Sequence, residues 1–557
     1  MTKTSQSDAP EFLPKLVTVL REGYGLQDLR ADALAGLTVA IVALPLSMAI
    51  AIASGVGPER GLYTAIIGGF LVSAFGGSRF QVGGPAGAFI VLVAACVAAT
   101  GIEGLVLATL LSGLLLIAVG VLRIGSYIRF IPYPVTVGFT AGIAVIIFAS
   151  QLRDLFGLHL AVTEPGELLH KLPVLWQARG TANAAAFAVA GATIAMIVGL
   201  KRWRPGWPGM LMAVVVASAL VALFGLQVET IGTRFGGLPS GLPRPAVPEI
   251  SAAKLWAALP WAVSFTLLGA IESLLSAVVA DGMTGRRHRS NAELVAQGVA
   301  NVGSALFGGI CVTGTIARTA TNVRAGSRGP VSGMLHAVFV LGFMLIAAPL
   351  AAYIPLAALA GVLAIVAWNM AEKEELWSLI RFSRADALVV LTTFALVIFR
   401  DLTTGIVVGV ALGGAVFIRR MSDATEAGHH ERKGRYDPSE ASPSGLAVCY
   451  LRGPYFFGAA ARLGAVLDQI ADTPQGFAVD FTDVPFIDSS GARSFDLLAH
   501  KTARKGGKLF FTATNAEVRA MLQSHGLREP RVTYLDDIAA VEAVLAAARQ
   551  EKLPESG

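Results

Sequence analysis

A single acid, Glu272, lies inside the apolar segment 261–280, which carries no other charged side chain. The segment is long enough to cross a lipid bilayer. A carboxylate at membrane depth is costly, and it usually faces a cavity and has a functional role. We therefore predict that Glu272 binds a coupling ion, a proton or Na⁺. The alternative is a structural acid that forms hydrogen bonds between helices.

Two further segments, 79–88 and 308–318, are short, rich in glycine and interrupted. Paired, broken segments at matching positions in two halves of a membrane protein indicate a transporter's binding site. The half-helices that follow such breaks present free backbone N–H groups and a positive dipole end, which favour an anion. Arg318 would add a full positive charge there, unless its side chain extends to the membrane surface. Alternatively, the glycines could simply allow neighbouring helices to pack closely.

The elements that must position these residues are membrane helices. The chain has 557 residues, of which 54% are apolar and only 15% charged, whereas a soluble protein carries about 25% charged residues. Three scattered cysteines predict neither a disulfide framework nor a metal site. The net charge of +6 lies mostly in short loops, which indicates membrane topology and not nucleic-acid binding. Residues 1–32 show no cleavable signal pattern.

Apolar runs predict about fourteen spans, given roughly 20 residues per span. They lie near 33–58, 61–77, 84–100, 104–122, 131–150, 182–200, 208–226, 260–280, 292–309, 315–323, 330–352, 355–370, 385–399 and 402–418. Lys and Arg concentrate in alternate loops, which places both termini in the cytoplasm. We predict a cytoplasmic segment 1–32, a transmembrane domain 33–420 and a polar linker 421–444.

Residues 445–552 are predicted to form a soluble α/β domain. Strand-like and helical patterns alternate there, which implies a small sheet with helices packed on it. The strands are expected at 446–452, 477–482, 508–513 and 531–535, and the helices at 458–471, 489–504, 515–525 and 537–549. His429 and His430, in the linker, are not predicted to bind a metal, because two histidines in a solvated linker usually have no such role.

Several motifs, in order along nearly the whole chain, resemble those of the SulP anion permeases (solute carrier family 26). They are Gly-Leu-Tyr at 61–63, Phe-Gly-Gly-Ser-Arg at 75–79, Gly-Pro-Ala at 84–86, Ala-Ile-Glu-Ser-Leu-Leu-Ser at 270–276 and Thr-Ala-Thr-Asn at 319–322. The C-terminal domain resembles the STAS domain attached to these permeases. Its Phe-Ile-Asp-Ser-Ser-Gly-Ala run at 486–492 is similar to the loop of anti-sigma-factor antagonists.

The resemblance implies an all-α, polytopic, uracil-permease-like membrane domain of two inverted seven-span repeats, followed by a cytoplasmic α/β STAS domain. Spans 1–4 and 8–11 would form a core domain, and spans 5–7 and 12–14 a gate domain. A homodimer and an elevator-like motion of core against gate are also implied. The anion would lie between half-helices 3 and 10, and its implied contacts are Ser47, Ala86, Gly87, Gly314, Thr315, Ile316 and Arg318.

This sequence departs from some relatives at two places. Leu46 stands where vertebrate members carry Gln, so the pocket wall is less polar there. Glu272 and Ser276 stand where sodium-coupled bicarbonate members carry Asp and Thr. We assign ion coupling to Glu272 and Ser276, and the departure favours the proton without excluding Na⁺.

We therefore expect a bacterial inner-membrane protein that takes up a small anion with protons. An anion would offset the charge of Arg318 and so favour the protonated form of Glu272, which couples the two ligands. Sulfate, bicarbonate and a C4-dicarboxylate all fit such a site. The alternatives are a sodium-coupled bicarbonate symporter and an uncoupled exchanger or channel regulated through the STAS domain.

The STAS domain is expected to dock a cytoplasmic protein partner or to accept phosphate at Ser490 or Ser489. Phosphate at the start of a helix is favoured by the helix dipole. The alternative for this loop is simple N-capping by Asp488 or Ser489. The chain shows no catalytic constellation and no nucleotide fingerprint.

Overall fold

The structure is a computed structural model. It describes residues 11–125, 132–162, 165, 168–204, 207–424, 426–428, 446–456, 476–504 and 506–550. The chain divides into two compact units, Met1–Val410 and Ala411–Gly557.

The first unit is built almost entirely of helices, because a helix satisfies its own backbone groups where water is absent. Its helices are α1 (Lys15–Arg21), α2 (Leu26–Ala53), α3 (Pro58–Tyr63), a π-helical turn (Thr64–Gly68), α4 (Gly69–Phe75), a 3-10 turn (Gly87–Phe89), α5 (Ile90–Val121), α6 (Tyr133–Phe156), α7 (Leu168–Gln177), a 3-10 turn (Ala178–Thr181), α8 (Ala184–Trp203), α9 (Gly209–Phe224), α10 (Ile231–Phe235), α11 (Ala252–Thr284), α12 (Ser290–Leu306), α13 (Ile316–Arg324), α14 (Val331–Ala351), α15 (Leu356–Met370), α16 (Lys373–Phe382), α17 (Arg384–Phe399) and the start of α18 (Leu402–Ala424). Two short strands, β1 (Gly83–Gly84) and β2 (Thr313–Gly314), interrupt the series.

Every span predicted from the sequence overlaps helix in this unit. Among the described residues, eight helical stretches are long and apolar enough to cross a membrane. The third and fourth predicted spans are joined in α5, which is broken at Gly101, where φ is 71°. Glycine tolerates that left-handed conformation, which other residues rarely adopt.

Small residues allow the helices of this unit to approach closely. A Cβ atom on Gly113 of α5 would lie 2.7 Å from the carbonyl oxygen of Gly298, and one on Gly298 of α12 would lie 2.5 Å from that of Gly113. The two glycines therefore face each other where α5 crosses α12. Contacts of this kind are typical of helix packing in membranes, where close van der Waals contact replaces the hydrophobic effect.

The second unit contains a five-stranded sheet in the order β3-β4-β5-β6-β7. The strands are β3 (Glu426–Gly428), β4 (Leu446–Arg452), β5 (Gly476–Asp483), β6 (Lys508–Thr512) and β7 (Thr533–Leu535), and the helices that follow α18 are α19 (Ser489–Arg504), α20 (Ala516–Ser524) and α21 (Ile538–Gln550). Strands β4 to β7 are parallel, and β3 is antiparallel to β4. The predicted α/β alternation is confirmed for these elements.

Parts of the predicted linker 421–444 have regular secondary structure, since α18 continues to Ala424. Residues 426–428 form strand β3, which pairs with β4 and is the edge strand of the sheet. Their sequence, Glu-Ala-Gly, is too short to show a strand pattern. An edge that β4 would otherwise leave open favours such pairing. The helix predicted over 458–471 and the histidines His429 and His430 lie outside the described residues.

Aromatic rings fill the core of the second unit. Phe481, Phe495 and Phe511 pack edge to face or nearly so, with ring centroids 5.3 to 5.6 Å apart, a favoured geometry for aromatic pairs. Burial raises the pKa of the nearby Cys449 thiol to about 12. That thiol stays protonated at neutral pH and is unreactive.

Candidate functional site

The two interrupted segments meet inside the first unit. Strands β1 and β2 pair antiparallel, with Gly83 opposite Gly314 and Gly84 opposite Thr313. Extended backbone inside a membrane domain needs partners for its N–H and C=O groups, and each segment supplies them to the other. The sequence features at 79–88 and 308–318 thus form one structural element.

A half-helix begins directly after each strand. The 3-10 turn Gly87–Phe89 leads into α5 and follows the extended Ala86, and α13 follows the extended Thr315. No side chain caps either N-terminus. The N–H of Thr315 donates to the carbonyl oxygen of Val82 at 3.1 Å, but among the described residues the N–H groups of Gly87 and Ile316, the first residues of the two half-helices, have no acceptor. Free N–H groups are the usual condition for anion binding at a helix start.

Arg318 lies one turn into the second half-helix and is 1% exposed. Its Nη2 donates to Ser47 Oγ at 3.0 Å and to the carbonyl oxygen of Pro85 at 3.3 Å. Its Nε and Nη1 have no partner among the described residues. The guanidinium thus links α2 to the start of the first half-helix and keeps unused N–H donors beside it.

Gly84 makes room for this guanidinium. A Cβ atom on Gly84 would lie 2.0 Å from Arg318 Nη1, a distance that no real pair of these atoms reaches. Gly314, on the other strand, also has no space for a side chain. A Cβ atom there would lie 1.7 Å from Gln81 Nε2. A side chain at either glycine would therefore displace the end of a neighbouring polar side chain.

Glu272 and Ser276 lie on the face of α11 that contacts the paired segments. One turn before Glu272, the carbonyl oxygen of Gly269 accepts a hydrogen bond from Thr313 Oγ1 at 3.2 Å. One turn after it, Ser276 Oγ donates to Thr319 Oγ1 at 3.1 Å. Glu272 is 7% exposed. Residues three or four apart share a helix face, so Glu272 is held on the side of the half-helices.

Glu272 and Arg318, the two charged residues of the predicted site, lie on different helices. The two side chains form no ion pair, because the guanidinium turns toward Ser47 and Pro85. Within the described part of the chain, Glu272 has no hydrogen bond and no salt bridge. The helices that carry the two residues, α11 and α13, are joined by the hydrogen bond between Ser276 and Thr319.

A polar scaffold that sequence reasoning missed holds the second segment in place. The side-chain amide of Asn301 on α12 accepts from the N–H of Val312 at 2.9 Å and donates to its carbonyl oxygen at 2.8 Å. Thr64, in the π-helical turn, accepts from the N–H of Ile310 at 2.7 Å. An Asn inside an apolar span is a signal that could have identified this role.

The first segment is held in a similar way. Asn322 Nδ2 on α13 donates to the carbonyl oxygen of Phe80 at 2.9 Å, and Thr319 Oγ1 accepts from the N–H of Val82 at 3.2 Å. Both side chains belong to the Thr-Ala-Thr-Asn run that marked the family resemblance. That run therefore serves to join the two half-helices.

The loop at 486–492 of the second unit was the other predicted functional site. Asp488 Oδ1 accepts from the N–H of Gly491 at 2.7 Å and so caps α19. Ser489 and Ser490, the first residues of that helix, are both exposed. The capping role falls to Asp488, and both hydroxyl groups are accessible.

A helical membrane domain in which two broken segments cross and begin opposing half-helices has the architecture of a membrane transporter. The family model described as "Sulfate permease family" matches residues 29–393, and the model of the STAS domain matches residues 440–535. The chain belongs to the sulfate permease family, a family of anion transporters, and carries a C-terminal STAS domain.

Individual relatives and structures agree with this assignment. The chain is 39% identical over 512 residues to YvdB of Bacillus subtilis (strain 168), a sulfate transporter by its provisional name, and the match covers 91% of this chain and 95% of that one. It is 30% identical over 522 residues to the bicarbonate transporter BicA of Synechocystis sp., with 89% and 90% covered. The structure of the transmembrane domain of a cyanobacterial BicA is similar, with a TM-score of 0.63 at 32% identity over 70% of this chain and 98% of that chain.

A solved structure of lower sequence identity is similar to this chain over both of its units. The structure of SLC26A9 matches with a TM-score of 0.82 at 19% identity, over 98% of this chain and 94% of that chain. The predicted fold class, a helical membrane domain followed by a STAS domain, is confirmed.

Proposed function

We propose that this protein is a secondary active transporter that takes up a small anion together with protons. The observation that carries the proposal is Glu272, a carboxylate buried without a partner among the described residues, beside two uncapped half-helix N-termini. A positive site for the anion and a protonatable group for the coupling ion thus occur on neighbouring elements.

The anion would be bound mainly by backbone N–H groups at Ala86, Gly87 and Ile316, since the N–H of Thr315 already donates to the carbonyl oxygen of Val82 at 3.1 Å. Arg318 supports this role, since its Nε and Nη1 are buried and lack partners among the described residues. Two helix dipoles and one full charge attract an anion strongly in a site of low dielectric constant. Sulfate, bicarbonate and a C4-dicarboxylate remain the candidate substrates.

Glu293 shows what a structural buried acid looks like in this protein. It is fully buried on α12, and its carboxylate accepts from the N–H of Ser78 at 2.9 Å and from Gln297 Nε2 at 2.8 Å. Glu272 has no such donors within the described residues. A carboxylate buried without a partner is costly, and binding a proton removes that cost. The contrast supports a coupling role for Glu272.

A second candidate function is bicarbonate transport coupled to Na⁺. It is favoured by the similarity to BicA, a bicarbonate transporter by name. Glu272 and the Ser276 hydroxyl would then supply oxygen ligands to the ion. An uncoupled exchanger or channel would leave the buried carboxylate without a function.

The elevator motion of core against gate, the homodimer, the cytoplasmic position of both termini and the phosphorylation of Ser490 or Ser489 stay predictions. The proposed site is compatible with the motion, because both half-helices and α11 belong to the predicted core domain. A small anion bound there could then move with that domain as one body.

Glu272→Gln tests the proposal. The variant keeps the size of the side chain but cannot ionise, so we expect it to lose accumulation of radiolabelled sulfate driven by a pH gradient in proteoliposomes. Binding of sulfate should be retained. Glu103→Gln is the matched control, since Glu103 is exposed and bound to Lys254, and it should behave as the unmodified protein. Accumulation by Glu272→Gln equal to that of the unmodified protein would exclude Glu272 as the coupling site.

A further inference from the structure

The first unit contains an apolar cavity of about 510 Å³ between α2, α9 and α14, and no residue of the two half-helices lines it. Cavities that bind small molecules measure about 300–1,000 Å³. The described residues that line it carry no charge, and only Ser218 and Tyr353 carry a hydroxyl group. Ser218 Oγ already donates to the carbonyl oxygen of Val214 at 2.8 Å. A buried water molecule needs about two to four polar partners, so the cavity is unsuited to water.

The cavity runs from the surface of the membrane domain to its interior. Its mouth includes Val215 of α9 and Leu350 of α14, which are 56% and 69% exposed. Its floor includes Leu62 and Met344, which are at most 1% exposed. Because α9 and α14 are apolar helices, their exposed side chains face the hydrocarbon of the bilayer. The cavity is therefore open to lipid tails.

An empty cavity of this size would be unfavourable. Side chains that line a void lose their contact atoms on one side, and the cost grows with the volume of the void. A lipid tail restores these contacts and leaves no polar group unpaired. Since the tail leaves one apolar environment for another, close packing and not the hydrophobic effect would drive its entry.

The walls of the cavity belong to both predicted domains. Helices α2 and α14 are predicted core spans, and α9 is a predicted gate span. Leu238 and Ile354, which also line the cavity, belong to the two connections between these domains, 225–251 and 352–355. The two connections pair, because the N–H of Ile231 donates to the carbonyl oxygen of Ile354 at 2.9 Å. The shape of the cavity therefore depends on the position of core against gate.

Helix α2 also joins the cavity to the proposed anion site. Pro45 and Met48 line the cavity, and between them in sequence Ser47 Oγ accepts from Arg318 Nη2 at 3.0 Å. Pro45 lies inside α2, where a proline removes one backbone hydrogen bond of the helix. A chain in the cavity would thus contact the part of α2 that positions the guanidinium.

We propose that this cavity binds one acyl chain of a membrane phospholipid, and that the bound chain stabilises the arrangement of core and gate described above. A ligand that fits one arrangement of a protein better than another shifts the protein toward it. The lipid is then a conformational ligand, separate from the anion and from the coupling ion. The inference depends neither on Glu272 nor on the identity of the anion.

Photolabelling of the full chain in nanodiscs tests the site. The bilayer includes a phosphatidylcholine with a diazirine on its acyl chain, and mass spectrometry of peptides locates the adducts after photolysis. Lipid around the protein labels exposed residues such as Ile346 of α14, which does not line the cavity. Only a chain inside the cavity labels Leu62 and Met344, and we expect adducts there too. Adducts at Ile346 without adducts on the floor would overturn the proposal, and this is the result expected if a second copy of the chain covers the mouth.

Substitutions on α9 test the same site by filling it. Ala219 and Ala222 line the cavity, so in Ala219→Trp the floor adducts should fall roughly tenfold or more, as for an overpacked site. Ala222→Trp is a second filling variant in case the first does not fold. Leu220→Trp is the matched control, since Leu220 is exposed on the same helix and does not line the cavity. Equal floor labelling in the filling variants and in the control would overturn the proposal.

Thermal unfolding in detergent tests the stabilising role. A ligand that binds only the folded protein raises its unfolding temperature. Added phospholipid should therefore stabilise Leu220→Trp more than Ala219→Trp or Ala222→Trp. An equal rise in unfolding temperature for all three would show that a chain in the cavity does not stabilise the described arrangement.

Discussion

Two buried acids on consecutive helices, Glu272 and Glu293, differ in what surrounds their carboxylates. Glu293 receives hydrogen bonds from Ser78 and Gln297, whereas Glu272 receives none within the described residues. The sequence shows both acids in apolar runs but not which one has partners, because the donors to Glu293 include a backbone N–H from residue 78. Partners of that kind are fixed by tertiary contact and not by local pattern.

Gly84→Ala should weaken sulfate binding, because the new Cβ would lie 2.0 Å from Arg318 Nη1 and displace the guanidinium. The affinity for sulfate is expected to fall at least about tenfold, as for loss of one charge-assisted hydrogen bond of about 1.5–3 kcal/mol. Equilibrium binding of radiolabelled sulfate measures this.

Gly191→Ala is the control for that substitution. Gly191 lies in α8 with no atom within 4 Å of an added Cβ, so the variant should bind and transport normally. Sulfate affinity of Gly84→Ala equal to that of Gly191→Ala would show that Arg318 does not support the anion site.

Extended strands inside a helical membrane domain need side chains to complete their hydrogen bonds. The carboxamide of Asn301 supplies both an acceptor and a donor to Val312, and Asn322 and Thr319 hold the first segment. The glycine pattern of the sequence predicted the two breaks. It could not predict their antiparallel register, because the hydrogen bonds that hold the two segments come from side chains of α12 and α13 far from the first break in sequence.

Asn301→Leu should destabilise the first unit, since the N–H and C=O of Val312 would be left buried and unpaired. The expected cost is about 2–6 kcal/mol, taking roughly 1–3 kcal/mol for each of the two unsatisfied groups. Thermal unfolding of purified protein in detergent checks it. Thr38→Val is the control, because the exposed Thr38 hydroxyl bonds only to its own helix. Equal unfolding temperatures for the two variants would contradict the role assigned to Asn301.

At the scale of the whole molecule, the order of the helices and strands can be predicted from the sequence. The contacts between the two halves of the membrane domain cannot. The apolar runs predicted every span, because a helix that crosses the bilayer must have a certain length and an apolar composition. The meeting of residues 83–84 with 313–314 joins positions far apart in the chain. In the sequence, the only sign of this contact is that the two breaks occupy matching positions in the two halves of the membrane domain. Strand β3 escaped prediction because three residues are too few to show a period.

The most direct measurement is sulfate accumulation by the unmodified protein in proteoliposomes, with the outside more acidic than the inside and no Na⁺ present. Proton coupling predicts that internal radiolabelled sulfate rises above the external concentration, that a protonophore abolishes the excess, and that an unlabelled competing substrate reduces the uptake. Sulfate entry that reaches only the external concentration, whatever the pH gradient, would contradict proton-coupled uptake.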